Sequence, residues 1–144
     1  MKPRYPTPQQ IMRKPIKFKP QTIQLTKDWK HHFFTEQWKH LSSTEQFTHI
    51  AQLVHALAKV VYRKPLSCVI TNTAFACYNH ITKTIHLGPV PSIISALHEL
   101  AHHLFGDNEL VACRFSIHLF KKCFPKQFNT LEWQGHLLVK KHRG

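Results

Sequence analysis

The histidines at positions 98 and 102 are the feature that most constrains how this chain can fold. They stand in the stretch "SALHELAHHLF", four residues apart, with Glu99 directly after the first. An α-helix places such residues on one face, roughly 6 Å apart along its axis, so both imidazoles could reach one ion. Apolar residues recur at helical spacing beside them, at Ile94, Leu97, Ala101 and Leu104. The sequence therefore predicts a helix over residues 93–105 that carries a histidine pair on the flank of its apolar face.

The presence of Glu99 makes it less probable that this histidine pair arose by chance. The chain has 13 histidines in 144 residues, so one His-x-x-x-His pair is expected by chance. A glutamate directly after the first histidine is much rarer, because the chain has only 7 acidic residues. In an H-E-x-x-H helix the histidines bind zinc and the glutamate acts as a general base. We therefore interpret His98 and His102 as zinc ligands and Glu99 as the catalytic residue.

A catalytic zinc ion usually has three protein ligands and one open position, so a third ligand is needed. Glu109 is the preferred candidate. Gly106 is suited to end the first helix, Asp107 or Asn108 can cap the next one, and Glu109 then lies in its first turn. The same face of that second helix carries small residues that allow close helix packing, namely Ala112, Cys113 and Ser116. Phe115, Leu119 and Phe120 are expected in the core, and Pro125 should end the helix.

Other residues near the motif remain open as ligands or as contacts to substrate. His80, His86, His103 and His118 are all close in sequence. His103 could orient Glu99 or face solvent, and solvent is the preferred alternative. His86 could contact substrate from a strand beside the cleft, and Tyr78 could donate to a developing oxyanion. Ordinary strand packing competes with both interpretations. His118 should lie on the side of its helix opposite Glu109.

Charge and proline content distinguish residues 1–22 from the rest of the chain. The formal net charge is +13, which favours a polyanionic neighbour such as nucleic acid, bound non-specifically through a basic surface. Residues 1–22 are rich in proline and lysine, and this composition predicts an extended or disordered basic arm. A solvated tail is preferred over a binding arm, because charge runs alone are unspecific. Residues 23–144 are long enough for one domain.

Two helices are predicted between the arm and the motif. The stretch "DWKHHFFTEQWKHL" has aromatic residues near helical spacing, with Asp28 as a possible N-cap. The stretch "SSTEQFTHIAQLVHALAKVVYRKP" begins with a Ser43-x-x-Gln46 capping box, carries one apolar side and ends before Pro65. His49 and His55 within it are expected at the surface or the core edge.

Short β-type runs follow between residues 66 and 87. They are "LSCVIT", "FACYN" and "TKTIHLG", which predict two or three strands of a small antiparallel sheet. The imperfect alternation of the last run indicates an edge strand beside an open groove. After the motif helices, a short C-terminal helix is expected near residues 131–140. The four cysteines, Cys68, Cys77, Cys113 and Cys123, include no C-x-x-C and are expected to be buried free thiols.

The motif region resembles the metallopeptidase domain of the ImmA/IrrE family. That family combines H-E-x-x-H with a following helix that reads roughly E-x-E-A-x-x-F-A-x-x-L-L-x-P. Here "HELAHHLFG" is followed by "ELVACRFSIHLFKKCFP", in which Glu109, Ala112, Phe115, Leu119 and Pro125 keep a similar order. Val111 stands where the family often has a second glutamate. SprT-like proteases are the second resemblance, because they also combine H-E-x-x-H with a basic chain, although their C-terminal zinc ribbon has no counterpart here.

The resemblance implies a minimal zincin-like α+β domain of gluzincin type: N-terminal helices, a small antiparallel sheet, the H-E-x-x-H helix and a ligand helix. It also implies that His98, His102 and Glu109 bind zinc. The expected function is hydrolysis of peptide bonds in an intracellular protein by zinc-bound water that Glu99 activates. The alternative is a non-catalytic basic nucleic-acid-binding protein on a zincin scaffold, and a histidine-rich fold without metal is a third.

No apolar run approaches the ~18 residues that span a bilayer, and the start "MKPRYPTPQQ" has no apolar stretch typical of a signal peptide. A cytoplasmic protein without membrane contact is therefore expected.

Overall fold

The protein has a mixed α+β architecture with two small sheets. The computed structural model describes residues 5–71 and 76–141. In chain order, the elements are α1 (Pro8–Met12), α2 (Pro20–Phe33), a 3₁₀ turn (Trp38–His40), α3 (Ser43–Ala56) with a π-helical extension (Leu57–Val61), β1 (Ser67–Ile70), β2 (Cys77–Asn79), β3 (Thr84–Leu87), α4 (Ile93–Phe105), α5 (Glu109–Cys123), α6 (Pro125–Phe128), β4 (Leu131–Gln134) and β5 (Leu137–Lys140). Within the described residues, no helix is both long enough and apolar enough to cross a membrane.

Residues 1–22 were predicted to form an extended or disordered arm. This is wrong for Pro8–Met12 and for the residues from Pro20 onward, which are helical. Residues 1–4 lie outside the described residues. Helix α1 begins at Pro8 because Thr7 and Gln10 form a capping box and proline is compatible with the first helical turn. The side chain of Ile11 is fully buried. Arg114 on α5 donates hydrogen bonds to the backbone carbonyls of Gln10, Ile11 and Lys14. The segment is therefore docked on α5.

Both predicted N-terminal helices exist, with different starting points. Helix α2 starts at Pro20, eight residues before the predicted N-cap Asp28, and its register is set by buried Thr22, Thr26 and Trp29. Both buried threonine hydroxyls are hydrogen-bonded: Thr26 donates to the carbonyl of Thr22, and the Thr22 hydroxyl pairs with that of Tyr62 at 2.9 Å. Polar residues therefore occupy the inner face of α2 and hide its apolar periodicity. The 14-residue helix ends at Phe33, and Trp38 lies in the 3₁₀ turn.

Helix α3 is capped one residue earlier than predicted. The capping box joins Ser42 and Glu45, where the side chain of each accepts a hydrogen bond from the other's backbone amide. Glutamate at this position also carries a negative charge near the positive end of the helix dipole, which favours this box over the predicted pair of Ser43 and Gln46. The helical segment ends at Val61, shortly before Pro65.

The three-stranded sheet is mixed, so the prediction of an antiparallel sheet is wrong for β1. The strand order is β1-β3-β2, with β2 antiparallel and β1 parallel to β3. Strand β3 is central and buries Ile85 and Leu87 completely, so it is not the edge strand that its alternation indicated. Edge strands β1 and β2 are mostly exposed. The expected strand residue Phe75 lies outside the described residues.

The main core lies where α4 packs against α5, α3 and the three-stranded sheet. Its centre is made of fully buried aliphatic residues from all these elements, including Leu53, Leu57, Ile85, Leu97, Leu100 and Leu119. The predicted apolar face of α4 is confirmed at Leu97, Ala101 and Leu104, and the predicted core positions Phe115, Leu119 and Phe120 are buried as well.

The C-terminal region forms a hairpin, and the helix predicted near residues 131–140 is wrong. Strands β4 and β5 pair antiparallel from Leu131 opposite Lys140 to Gln134 opposite Leu137. Two residues make the turn, and Gly135 adopts φ 62°, a left-handed conformation that glycine reaches without strain. Leu138 and Trp133 pack with Ile11 and Ile117, so the hairpin closes a second, smaller core over α1 and α5.

Candidate metal centre

Helix α4 spans Ile93–Phe105, the predicted bounds. The Ser92 hydroxyl accepts a hydrogen bond from the amide of Ser95 and caps the helix. Proline at positions 89 and 91 keeps the preceding backbone extended, so the helix can begin only here. His98 and His102 lie half-buried on the flank of its apolar face, and their ring centroids are 4.9 Å apart.

A three-residue link then reverses the chain direction into α5. Gly106 ends α4 with φ 101° and ψ −162°, a combination that residues with a Cβ rarely adopt. Asn108 caps α5, its side-chain oxygen accepting from the amide of Val111. Glu109 is therefore the first residue of α5, as predicted, and it faces back toward α4.

Glu109 brings its two carboxylate oxygens to the two motif histidines separately. Its Oε2 lies 3.1 Å from Nε2 of His98, and its Oε1 lies 2.8 Å from Nε2 of His102. The glutamate side chain is 36% exposed, whereas the histidine side chains are 20% and 11% exposed. All three potential ligand groups thus converge on one point at the protein surface.

The hydrogen bonding of His102 shows which of its atoms is available as a ligand. Its Nδ1 lies 2.9 Å from the carbonyl oxygen of Gly106, which can only accept, so Nδ1 carries a proton. In a neutral ring, Nε2 then presents a lone pair to the carboxylate of Glu109. That arrangement is repulsive unless a second proton or a cation lies between the two groups. A backbone carbonyl on the second nitrogen is also the usual partner of a metal-bound histidine.

The spacing of these atoms suits a small tetrahedral cation. Zinc bonds to nitrogen and oxygen of about 2.0–2.1 Å place neighbouring tetrahedral ligands about 3.3 Å apart. The observed separations of 2.8 and 3.1 Å fall short of that by a few tenths of an ångström. Burial lowers the pKa of His98, while the Glu109 charge opposes that shift, so the ring favours the neutral form that binds metal. The residues therefore fit a zinc ion.

Two overlapping groups of side chains could hold a metal ion: His98 with Glu99 and His102, and His98 with Glu109 and Cys113. The thiol sulfur of Cys113 lies 3.8 Å from Nδ1 of His98, on the opposite nitrogen from Glu109. One ligand atom each from His98, Glu109 and Cys113 nevertheless lies within 4.8 Å of the other two. Burial raises the pKa of the Cys113 thiol to about 12, which disfavours the thiolate that metal binding requires. Glu109 contacts Nε2 of both motif histidines, so we prefer it to Cys113 as the third potential ligand.

Glu99 lies beside the histidines without joining their contacts. It is 8% exposed, and within the described residues no protein group donates a hydrogen bond to its carboxylate. Burial raises its pKa to about 7, with the charge of Glu109 acting in the same direction and that of His102 opposing it. A carboxyl group that titrates near neutral pH can both accept and release a proton.

A cavity of about 410 Å³ adjoins His98 and Glu99. Its walls are mostly apolar and include Ile94, Ile117 and Leu138. The turn of the C-terminal hairpin forms one side, where His136 stacks on Tyr5 with ring centroids 4.1 Å apart. The N-terminal segment and the hairpin were both missed as parts of this site, because neither contains a chemical motif and only the fold brings them to α4.

The residues predicted to contact substrate make other interactions in the structure. The Tyr78 hydroxyl lies 2.7 Å from Nδ1 of His103, and Nε2 of His103 lies 2.6 Å from the carbonyl of Lys64. His103 is therefore neither free in solvent nor bonded to Glu99. His86 is half-buried on β3, opposite Cys77 of β2. The competing ligand His118 contacts the carbonyl of Ile11 at 2.7 Å instead.

Comparisons with known proteins found no matching family model, no similar curated protein and no similar solved structure.

Proposed function

We propose that this protein is a zinc-dependent metallopeptidase with a zincin-like site. His98, His102 and Glu109 are its metal ligands, and Glu99 is its catalytic acid-base residue. The observation that carries the proposal is the position of Glu109, whose two oxygens face Nε2 of both motif histidines while Glu99 stays unpaired beside them.

The chemistry of the ligand set favours zinc. Two neutral imidazoles and one carboxylate are typical of a catalytic zinc ion, which keeps a fourth position open for water or substrate. Calcium and magnesium prefer a shell made of oxygen atoms. A purely structural zinc site would instead fill all four positions with cysteine and histidine.

Zinc at this position would supply Lewis acidity, which polarises a peptide carbonyl and makes water nucleophilic near neutral pH. Glu99 as carboxylate accepts one proton from the attacking water, while the water oxygen bonds to the carbonyl carbon. The protonated Glu99 then passes that proton to the leaving nitrogen as the carbon–nitrogen bond breaks. Burial of Glu99, which raises its pKa, favours uptake of the proton in the first step.

The surroundings of Glu99 support catalysis over a structural role. A buried carboxylate without hydrogen-bond donors is costly for stability, and such groups concentrate at active sites. The adjoining cavity gives a substrate side chain room next to the ligands and the base. A non-catalytic protein would need neither the unpaired carboxyl group of Glu99 nor the cavity beside it.

The resemblance to the ImmA/IrrE family supports the same assignment through the H-E-x-x-H motif and the order of Glu109, Ala112 and Phe115 in the following helix. The link of only three residues between α4 and α5 places Glu109 next to His98 and His102. The resemblance to SprT-like proteases rests on the motif and the charge alone. We propose a protein or peptide as the substrate.

The test is zinc content by elemental analysis, combined with cleavage of a mixed peptide library. The parent protein should hold one zinc per chain, and His98→Ala, His102→Ala and Glu109→Ala should lose it. Glu99→Gln should keep its zinc and lose cleavage, while Glu36→Gln, at an exposed position, should retain both. A parent protein without zinc after metal is supplied overturns the proposed site. Zinc binding without cleavage of any peptide overturns the peptidase.

A further inference from the structure

A second chemically distinct surface lies at the other end of α5. Helix α5 carries Glu109 in its first turn and Lys121 and Lys122 in its last turn. At a rise of 1.5 Å per residue, the two ends are about 20 Å apart. Helix α2 packs beside α5 and adds Lys27 and Lys30 to the lysine end. We refer to these four lysines as the lysine groove.

The lysine groove consists of two adjoining depressions that share Lys27 and Lys122. Their volumes are about 740 and 510 Å³. Lys30 lines the first and Lys121 the second. Burial raises the pKa of the nearby Cys123 thiol, to about 11 once the opposing charges of Lys27, Lys30 and Lys122 are included.

These charges are uncompensated. Across residues 5–71 and 76–141, the ion pairs involve only histidine with Glu109, so no described lysine or arginine is paired with an acidic side chain. The single acidic residue lining the groove, Asp28, accepts a hydrogen bond from Gln24 instead. Lys30 donates to the carbonyl of Cys123, which makes it partly structural. Lys27 and Lys122 are exposed, and no described protein group accepts a hydrogen bond from either.

We propose that the lysine groove binds the phosphate backbone of duplex nucleic acid without sequence preference. Four lysines along an open groove lined by a single acidic residue, Asp28, match a polyanion with closely spaced charges. The two phenylalanines at the groove, Phe34 and Phe18, pack edge-to-face against Phe124 and Phe115 of the core, so we expect little base stacking there. Contacts are therefore to phosphates, and a duplex offers the higher charge density.

This binding is independent of the metal centre. Because the groove and Glu109 lie at opposite ends of α5, the protein can bind nucleic acid at the groove and a metal ion at Glu109 at the same time. The protein could thus act on substrates while attached to nucleic acid, and loss of metal should leave nucleic-acid binding unchanged.

The experiment measures binding of a fluorescein-labelled random-sequence DNA duplex by anisotropy over a range of salt concentrations. The groove variant is Lys27→Gln with Lys122→Gln. The matched control is Lys59→Gln with Lys140→Gln, which removes the same charge at two exposed positions elsewhere. Circular dichroism and zinc content verify that both variants remain folded.

The groove variant should bind at least ten-fold more weakly than the parent, and its log–log salt slope should be shallower by about 1.8, or about 0.9 for each lost phosphate contact. Equal weakening in the control variant would overturn the groove, since binding would then follow net charge alone. Absence of DNA binding by the parent at low salt, or tighter binding of polyglutamate than of duplex, would also overturn the proposal.

Discussion

Tyr78 donates its hydroxyl proton to Nδ1 of His103 across 2.7 Å. The direction follows from the other ring nitrogen, which faces the carbonyl of Lys64 and must carry the proton of a neutral imidazole. His103, the residue next to His102 on helix α4, therefore links α4 to strand β2 and to the segment after α3. The Tyr78 hydroxyl is engaged in these hydrogen bonds, so we expect Tyr78 to position α4.

Replacing Tyr78 with phenylalanine should accordingly affect stability and leave the metal in place. Loss of one hydrogen bond costs about 1 kcal/mol, so the melting temperature should fall by about 3 °C. Thermal denaturation and zinc analysis measure the two quantities. A large fall in peptidase turnover with unchanged stability would contradict this positioning role and restore the oxyanion interpretation.

Cys113→Ser distinguishes the two possible metal clusters. If Cys113 only orients His98, the variant should still bind one zinc, with an affinity reduced by about ten-fold, as for other changes in groups that orient a ligand. If the thiolate were a ligand, the cadmium- or cobalt-substituted parent protein would show a sulfur-to-metal charge-transfer band that the variant lacks. We expect no such band in either protein.

Gly106→Ala should strain the backbone between α4 and α5 and thereby weaken zinc binding. Its φ of 101° with ψ of −162° belongs to a region that is essentially restricted to glycine, so a Cβ should cost about 1–3 kcal/mol although the space around it is open. The carbonyl of Gly106 also orients His102, so zinc affinity should fall by about 10- to 100-fold.

Gly135→Ala is the matched control for that change. Gly135 also has a positive φ and open space, but it lies in the turn of the C-terminal hairpin. We expect a destabilisation of about 1 kcal/mol and an unchanged zinc affinity. Equal loss of zinc affinity in both variants would show that the effect comes from general destabilisation.

Ile11→Ala tests whether the N-terminal segment is part of the fold. Because Ile11 is fully buried against Cys113 and Ile117, its truncation should lower the free energy of unfolding by about 3 kcal/mol. Ile81→Ala, at a side chain that is 82% exposed, should change it by less than about 0.5 kcal/mol. Urea denaturation compares the two, and a similar small effect in both would mean that the segment is undocked.

The sequence was sufficient to predict α4 and the start of α5. In these segments the capping residues, the apolar periodicity and the helix-ending glycine all agree. Agreement between local preference and the final fold is what makes a boundary predictable. The three potential ligands belong to this region, so their placement could be predicted from spacing alone.

Other segments were unpredictable because their structure depends on distant partners. Pro8–Met12 is too short to be stable by itself and is held by Arg114, about one hundred residues away in sequence. The parallel pairing of β1 with β3 depends on chain reversal through β2. The region of residues 131–140 has no decisive local preference, and its hairpin is stabilised by packing on α1 and α5.

The three-residue link between α4 and α5 has a consequence for how the centre is assembled. The potential ligands lie within one short stretch, from His98 to Glu109, so they meet as soon as the two helices pair. No long loop has to close, and the entropy lost in bringing the ligands together is small. The metal centre should thus belong to the earliest part of the structure to form, with the sheet, the N-terminal segment and the hairpin added around it.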